Sequence, residues 1–434
     1  MREFYNSKAT KDINFRINAL KNLQTALIKY EDEIYKALEK DLHKHKFETY
    51  LSELGLVLSE LNFTIKHLKS WSKTKRVKTP LSLFSANSYL KNEPYGIVLI
   101  ISPWNYPINL TFIPLISAIA AGNCIVLKTS NKTKFTSEVI AKILGEIYPS
   151  NFVQTTTRYD IADLKFDYIF FTGSKDVGQT ISCKASLNLT PCTLELGGKS
   201  PCFVDKSADI KLSAKRILFG KLLNAGQTCV APDYLLVHSS IKKSLISEFI
   251  DLLTHFNTDN FPHLIDEIEL KRVQNLIDKN RVILGGKSKA LMLEPTILDD
   301  IKFDDDIMKE EIFAPILPII EYDDLNQALT KVKSLPTPLA LYIFAKDKTY
   351  INTVLNEISS GSACINDTLM QISSHYMPFG GSGESGYGRY HGKAGFDTFS
   401  QTRPYLNRHT YIDLPIRYHP YTKLKFKLLK LFLR

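Results

Sequence analysis

Between about Asp12 and Leu42, the residues Leu20, Leu23, Leu27, Tyr30, Ile34 and Leu38 recur at steps of three and four. That spacing predicts an amphipathic helix, and a second such pattern runs from Glu48 to Trp71. The stretch 73–94 is polar and broken by Pro80 and Pro94, with an alternation around Leu81 to Leu90 that predicts a short exposed strand. Then the texture changes. Gly96–Ile101 is a continuous apolar run, followed by a Pro/Asn loop, an apolar helix near Pro107–Ala120 and a strand at Cys124–Lys128. Strand, helix, strand of this kind predicts a βαβ unit in a parallel sheet covered on both faces. Phe166–Thr172 repeats the theme, running into Gly173-Ser174-Lys175-Asp176-Val177-Gly178 and then a helix.

From Pro201 onward, strand-like runs at 235–238, 316–320, 339–344 and 362–366 alternate with helical ones, which predicts a second α/β unit. Beyond Phe399 the chain reads as extended. The stretch from Ile97 to Leu127 is apolar enough to resemble a membrane span. It also holds Ser102, Pro103, Asn105, Pro107, Asn109, Pro114 and Asn123, and so reads as protein interior.

At 434 residues, two or more domains are expected. Basic residues outnumber acidic ones by 55 to 45, but five of the positives (Lys423, Lys425, Lys427, Lys430, Arg434) lie in the last twelve residues. The body is thus only mildly basic, which argues against nucleic acid as a partner. Six cysteines (124, 183, 192, 202, 229, 364) form no C-x-x-C pair and the ten histidines are scattered, so no metal site is expected. A polar N-terminus without an apolar signal core and unpaired thiols point to a reducing, cytoplasmic setting.

Four segments could carry chemistry. Cys229 sits in Asn224-Ala225-Gly226-Gln227-Thr228-Cys229-Val230-Ala231-Pro232, where small residues let a turn approach a substrate closely. The other five cysteines read as small buried hydrophobes. Glu195 stands between two leucines and before Gly197-Gly198; burial would raise its pKa towards that of a useful base, whereas pairing with Lys199 would make it structural. Asn105 offers a neutral amide donor of the kind an oxyanion hole needs, although capping the following helix is the commoner role for such a residue. The Gly173–Gly178 loop opening a helix would suit a pyrophosphate, but it is not the G-x-G-x-x-G fingerprint.

Taken in order, PWNYP (103–107), FTGS (171–174), LELGGKSP (194–201), GQTC (226–229), EEIFAP (310–315) and PFGGSGESGYGRYHG (378–392) resemble the motifs of the aldehyde dehydrogenase superfamily. The resemblance covers nearly the whole chain and is strongest to the class 3 branch, bacterial type, which is usually dimeric. It implies two Rossmann-like α/β domains with an extended oligomerisation arm. The cofactor-binding domain would be 1–72 with 97–195, the catalytic domain 196–395, the arm 73–96 with 396–415, and a basic amphipathic tail 416–434.

The resemblance also implies roles. Cys229 matches the nucleophile, Glu195 the general base, and Asn105 the oxyanion-hole amide. Lys128 matches the lysine at the adenosine ribose, Gly173, Ser174 and Gly178 the pyrophosphate loop, and Glu311 with Phe313 the nicotinamide-ribose contacts. The implied reaction is oxidation of an aldehyde to an acid with NAD or NADP, by way of a thiohemiacetal and thioester on Cys229. A coenzyme A-acylating enzyme and a non-catalytic membrane-associated scaffold are the alternatives. Ala314 stands where the family usually has glycine, a small change.

On a helix at about 100° per residue, Lys423, Lys427, Lys430 and Arg434 fall in a narrow arc. Leu424, Phe426, Leu428, Leu429, Leu431, Phe432 and Leu433 cover the remaining roughly 220°, interrupted by Lys425. Such a segment suits either the inner face of an anionic membrane, with a lipophilic aldehyde as substrate, or docking on protein.

The second departure from the family's pattern is Lys128-Thr129-Ser130-Asn131, where an acid usually follows. Losing that carboxylate removes a group that binds a ribose diol and repels a 2′-phosphate. NADP is therefore expected to serve alongside NAD, with kcat/KM values within about tenfold of each other; a preference for NAD of about a hundredfold would contradict this.

Overall fold

The computed structural model describes residues 1–433. The first amphipathic pattern is two helices rather than one, Ile13–Lys29 and Glu31–Leu42, meeting at a non-helical Tyr30. Glu31, Asp32 and Glu33 crowd the start of the second, where the helix dipole favours negative charge, so the chain restarts there. The second pattern begins at Lys46 and passes through a wide π-turn at Tyr50–Leu54 before continuing as Gly55–Trp71. A Cβ on Gly55 would lie 2.6 Å from the Tyr50 carbonyl, so glycine is what lets the wide turn close.

Six strands form the first sheet, in the order Gly386–Tyr387, Cys192–Glu195, Tyr168–Thr172, Ile97–Ile101, Cys124–Lys128 and Val153–Thr156. All neighbours are parallel except the first pair. The seven-stranded second sheet runs Val282–Leu284, Thr296–Leu298, Ile316–Tyr322, Tyr234–His238, Pro201–Val204, Ala340–Phe344, Ser362–Ile365. It too is parallel but for the first pair. The apolar stretch from Ile97 to Leu127 is thus strand, buried helix Asn109–Ala121 and strand.

Strand parity decides which face each residue covers. Val98, Ile100, Ile125, Leu127, Tyr168 and Phe170 join the central core with the helices Ile13–Lys29, Gly55–Trp71 and Asn109–Ala121. Their neighbours Leu99, Ile101, Val126, Ile169 and Phe171 pack on the other face under the helix Lys175–Leu187. In the second sheet Cys202, Val204, Leu235 and Val237 reach the same central core, while Phe203, Leu236, Leu341 and Ile343 form an outer one. One contiguous apolar core therefore joins the inner faces of the two sheets.

The strand of the 73–94 stretch is Ala86–Pro94, later than the alternation implied and half-buried rather than exposed, with Leu81–Leu83 in a 3-10 turn. It gains its length from pairing along its whole run with Ser400–Arg408, with Lys75–Val77 on its other side.

Candidate active site

Asn105 lies in the loop between strand Ile97–Ile101 and helix Asn109–Ala121. It does not cap that helix. The cap is Glu53, whose Oε2 accepts the Ile108 N–H at 2.8 Å. Asn105 is free to turn the other way, and its Nδ2 donates to the carbonyl of Gln227 at 3.0 Å. An amide nitrogen carries two N–H groups, so one remains for a ligand.

The backbone carbonyl of Asn105 accepts from Asn224 Nδ2 at 2.7 Å and from Lys44 Nζ at 3.3 Å. Lys44 is fully buried and pairs with the equally buried Glu53 at 2.6 Å. Glu48 Oε1 accepts the Asn224 N–H at 2.7 Å. The Gln227 amide bonds Asn224 O, His263 O and the Ile265 N–H, each at 3.0 Å. A buried polar network thus ties the N-terminal helices, the 102–108 loop and the segment leading to Cys229 into one piece.

That segment needs such restraint. Asn224, Ala225 and Gly226 follow one another in the left-handed region, with φ of 54°, 52° and 72°. Each non-glycine residue there costs about 1–3 kcal/mol. A Cβ on Gly226 would overlap the Ala314 carbonyl.

Cys229 is partly accessible, on the wall of a cavity of about 250 Å³. Its surroundings are nonetheless apolar enough that burial, reinforced by the carboxyls of Glu311 and Glu195, pushes its pKa up to about 12. Most of the wall is hydrocarbon, including Leu51, Leu56, Ile113, Phe219 and Leu369. Tyr106 donates or accepts at Thr228 Oγ1 at 2.6 Å and also lines it.

Glu195 ends the strand Cys192–Glu195. Lys199, its possible structural partner, goes elsewhere: its ammonium pairs with Asp233 and donates to Ile307 O at 3.0 Å and Glu310 O at 2.8 Å. Among the described residues neither carboxyl oxygen of Glu195 makes a hydrogen bond of good geometry, and burial holds its pKa well above the usual range, offset only in part by the charge of Arg389 and the nearby Gly381 N–H.

Lys199 with Asp233 fixes the segment that carries Glu311, for Asp233 Oδ1 also accepts the Ile312 N–H at 2.9 Å. Arg272 holds the same segment through Ile312 O at 2.8 Å. Burial and the charge of Asp233 raise Glu311 to about 8. A Cβ on Gly197 would overlap its carboxyl. Phe313 is left-handed (φ 53°), and its ring meets Trp104 edge-on at 5.6 Å. Cys229, Asn105, Glu195 and Glu311 are therefore gathered into one region.

Lys128 closes its strand, with Nζ 3.4 Å from Thr129 O. The Gly173 N–H donates to Glu195 O at 3.0 Å, and Ser174 stands at the N-terminus of helix Lys175–Leu187 without capping it by its side chain. The buried hydroxyl of Thr172 beside this loop has no partner. Gly178 is needed where the helix lies on Leu196, 2.6 Å from where its Cβ would be.

The expectation of five buried cysteines is corrected for three. Cys183 is exposed, because the buried stripe of its helix is Gly178, Ile181 and Ala185, and Cys192 and Cys364 are only half-buried. Cys124 and Cys202 are buried, and no group able to hold a metal occurs among the described residues.

The comparison that decides the family is direct. A model of the aldehyde dehydrogenase family matches residues 2–404. The chain belongs to the aldehyde dehydrogenase family. It is 45% identical to the 4,4'-diaponeurosporen-aldehyde dehydrogenase of Staphylococcus aureus, over 99% of this chain and 97% of that one. It is 40% identical to aldehyde dehydrogenase family 3 member B1 of Bos taurus, over 99% and 95% respectively. A solved structure described as the substrate-bound state of Staphylococcus aureus AldH superposes with a TM-score of 0.97 at 44% identity, covering 100% of this chain and 98% of that one. The protein is thus an aldehyde dehydrogenase, with relatives in class 3 of the family.

The sequence did not single out Lys44, Glu48 or Glu53, nor Lys221, whose buried ammonium has no hydrogen-bond partner and is lowered to about 8 by burial. Lys44 lies in a run of basic residues that reads as solvated surface.

Proposed function

We propose that this aldehyde dehydrogenase oxidises a lipophilic aldehyde to its carboxylic acid through a thioester on Cys229, hydrolysed by water that Glu195 activates. The observation that carries this is a buried carboxyl without a hydrogen bond of good geometry in the same region as a thiol on the cavity wall. The thiol passes its proton to solvent water in the cavity as sulfur bonds the aldehyde carbon, and the second N–H of Asn105 holds the resulting oxyanion. Loss of hydride from that carbon leaves the thioester. Glu195 then takes a proton from water, the C–S bond breaks, and the acid departs as the thiol is restored. A base of this kind also argues for water, rather than coenzyme A, as the acceptor.

NAD or NADP, when bound, supplies the hydride acceptor. The chain offers a fitting cradle: an uncapped helix N-terminus at Ser174, glycines at 173 and 178, and the unpartnered Thr172 hydroxyl. Lys128 would serve the adenosine ribose, and Glu311 with Phe313 the nicotinamide ribose.

Residues 1–72 and 97–195 would form the cofactor domain, whose sheet also takes in the strand Gly386–Tyr387 from the 196–395 segment, and the rest of 196–395 would form the catalytic one. The arm of 73–96 and 396–415 exposes Leu81, Phe84, Tyr405 and Leu406, a surface suited to pairing two copies into a homodimer. The unpaired thiols suit a cytoplasmic setting.

The tail helix Lys423–Phe432 leaves Leu424, Phe426, Leu428, Leu429 and Leu431 exposed instead of packing them on its own body. Beside Lys423, Lys427 and Lys430, that favours peripheral contact with an anionic membrane. Arg434 lies outside the described residues, and no helix among those described is long and apolar enough to cross a membrane.

Two outcomes are expected. Reduced-cofactor formation from an aldehyde should fall by about ten-thousandfold in Cys229→Ala. In the wild type, turnover limited by hydrolysis should fall as pH drops through the raised pKa of Glu195, since only its ionised form accepts a proton. Activity retained in Cys229→Ala, or a coenzyme A requirement, would refute the thioester route. Deleting 423–434 should abolish flotation with phosphatidylserine liposomes while light scattering still reads a dimer. Unchanged flotation would refute the membrane role, and a monomer before deletion would refute the arm's.

A further inference from the structure

The end of the strand Cys192–Glu195 is wrapped by the loop 380–389. Within that loop the short strand Gly386–Tyr387 runs antiparallel to it, with Gly386 opposite Glu195 and Tyr387 opposite Leu194. Phe379 and Tyr390 exchange backbone hydrogen bonds of 2.9 and 2.8 Å, which tie the two ends of the loop together. A Cβ on Gly380 would stand 2.9 Å from Glu195 Oε1 and 3.0 Å from Arg389 Cδ. The carboxyl and the foot of the guanidinium thus share the space that this glycine leaves open.

Arg389 is tethered there. Its Nη1 donates to Gly381 O and, at 2.8 Å, to Gly388 O, while its own carbonyl accepts from Thr398 Oγ1. A guanidinium has five N–H groups, so Nε and Nη2 are left outside that tether. Glu384, the acid on the same loop, pairs with Lys175 instead of Arg389. The other titratable groups coupled to Glu195 are the thiol of Cys229 and the hydroxyls of Tyr390 and Tyr168. All three are neutral at neutral pH, their pKa values pushed up chiefly by burial. Glu311, beside Gly197, acts on the Cys229 thiol. Burial favours the protonated form of Glu195, and Arg389 is the charge that opposes it.

A base that stays protonated at the working pH accepts nothing, so a charge must oppose burial if this carboxyl is to ionise. We propose that Arg389 is a positioning residue for Glu195: held beside it by two loop carbonyls, its guanidinium favours the carboxylate and sets the pH at which the acyl-enzyme is hydrolysed. This rests on Glu195 being the base. Arg389 touches neither aldehyde nor cofactor in this role and acts only through the carboxyl.

The test follows clearance of the acyl adduct that hexanal and NAD form on the full-length protein, quenched and weighed intact across a pH series. Clearance in the wild type falls towards low pH as Glu195 takes up its proton. In Arg389→Gln the opposing charge is gone, so the carboxyl holds its proton to higher pH. The midpoint should move up by about 1–3 pH units, with the high-pH plateau rate held within about twofold. Arg389→Met, a longer neutral side chain, should repeat the shift and stands in if the Gln variant does not fold. Arg389→Lys keeps the charge and should hold the midpoint within about half a unit of the wild type. A merely structural role would lower the plateau and leave the midpoint in place. The infrared band of a protonated carboxyl that Glu195→Gln removes should titrate with the same shifts, and it needs no turnover. A midpoint and band unmoved in the neutral variants, or moved as far in Arg389→Lys, would overturn the proposal. A low-pH limb that survives in Glu195→Gln would instead overturn the reading of Glu195 as base, and the infrared band would still judge the hold of Arg389 on this carboxyl.

Discussion

Poor solvation of charge is the constraint from which the chemistry of this site follows. Cys229 and Glu195 would each be charged more readily in water, and each is held neutral here because its surroundings solvate charge poorly. A carboxyl with a raised pKa is a stronger base than an exposed one, which suits it to draw a proton from water. Glu311, raised to about 8 and the stronger electrostatic neighbour of Cys229, extends the same condition across the cofactor side of the region. Everything around these groups serves to keep them close and dry.

The network built on Lys44 and Glu53 is how the fold meets that demand. It holds three successive left-handed residues whose strain alone is about 1–3 kcal/mol for each non-glycine member. Leaving one charge of a buried pair unmatched costs about 3–5 kcal/mol, so the pair is strongly constrained once formed. Through Glu53 it starts helix Asn109–Ala121, and through Lys44 it reaches the carbonyl of Asn105. Helices from the beginning of the chain thereby set the geometry around Cys229, far along it.

Much of this was legible in the sequence. Strand Cys124–Lys128 falls where its apolar run predicts, and the family was readable from six ordered motifs. What escaped was everything that depends on partners distant in the chain. The π-turn at Tyr50–Leu54 departs from the regular helix that the spacing predicted, and Leu51, within it, and Leu56, just beyond it, both line the cavity. Lys44 carries no local mark of burial, because its partner Glu53 comes into reach only through that same turn. Whether Glu195 was paired with Lys199 was likewise undecidable until Asp233, thirty-odd residues on, took the ammonium.

The central claim is that Glu195 waits, unpartnered, to hydrolyse an acyl group on Cys229. It is tested most directly by the intact mass of Glu195→Gln protein mixed with hexanal and NAD. The account predicts one persistent acyl adduct, mapped to Cys229, which clears promptly in the wild type and in Glu311→Gln. No adduct on Glu195→Gln, or an adduct that persists only in Glu311→Gln, would contradict it and move the role of base to Glu311 or elsewhere.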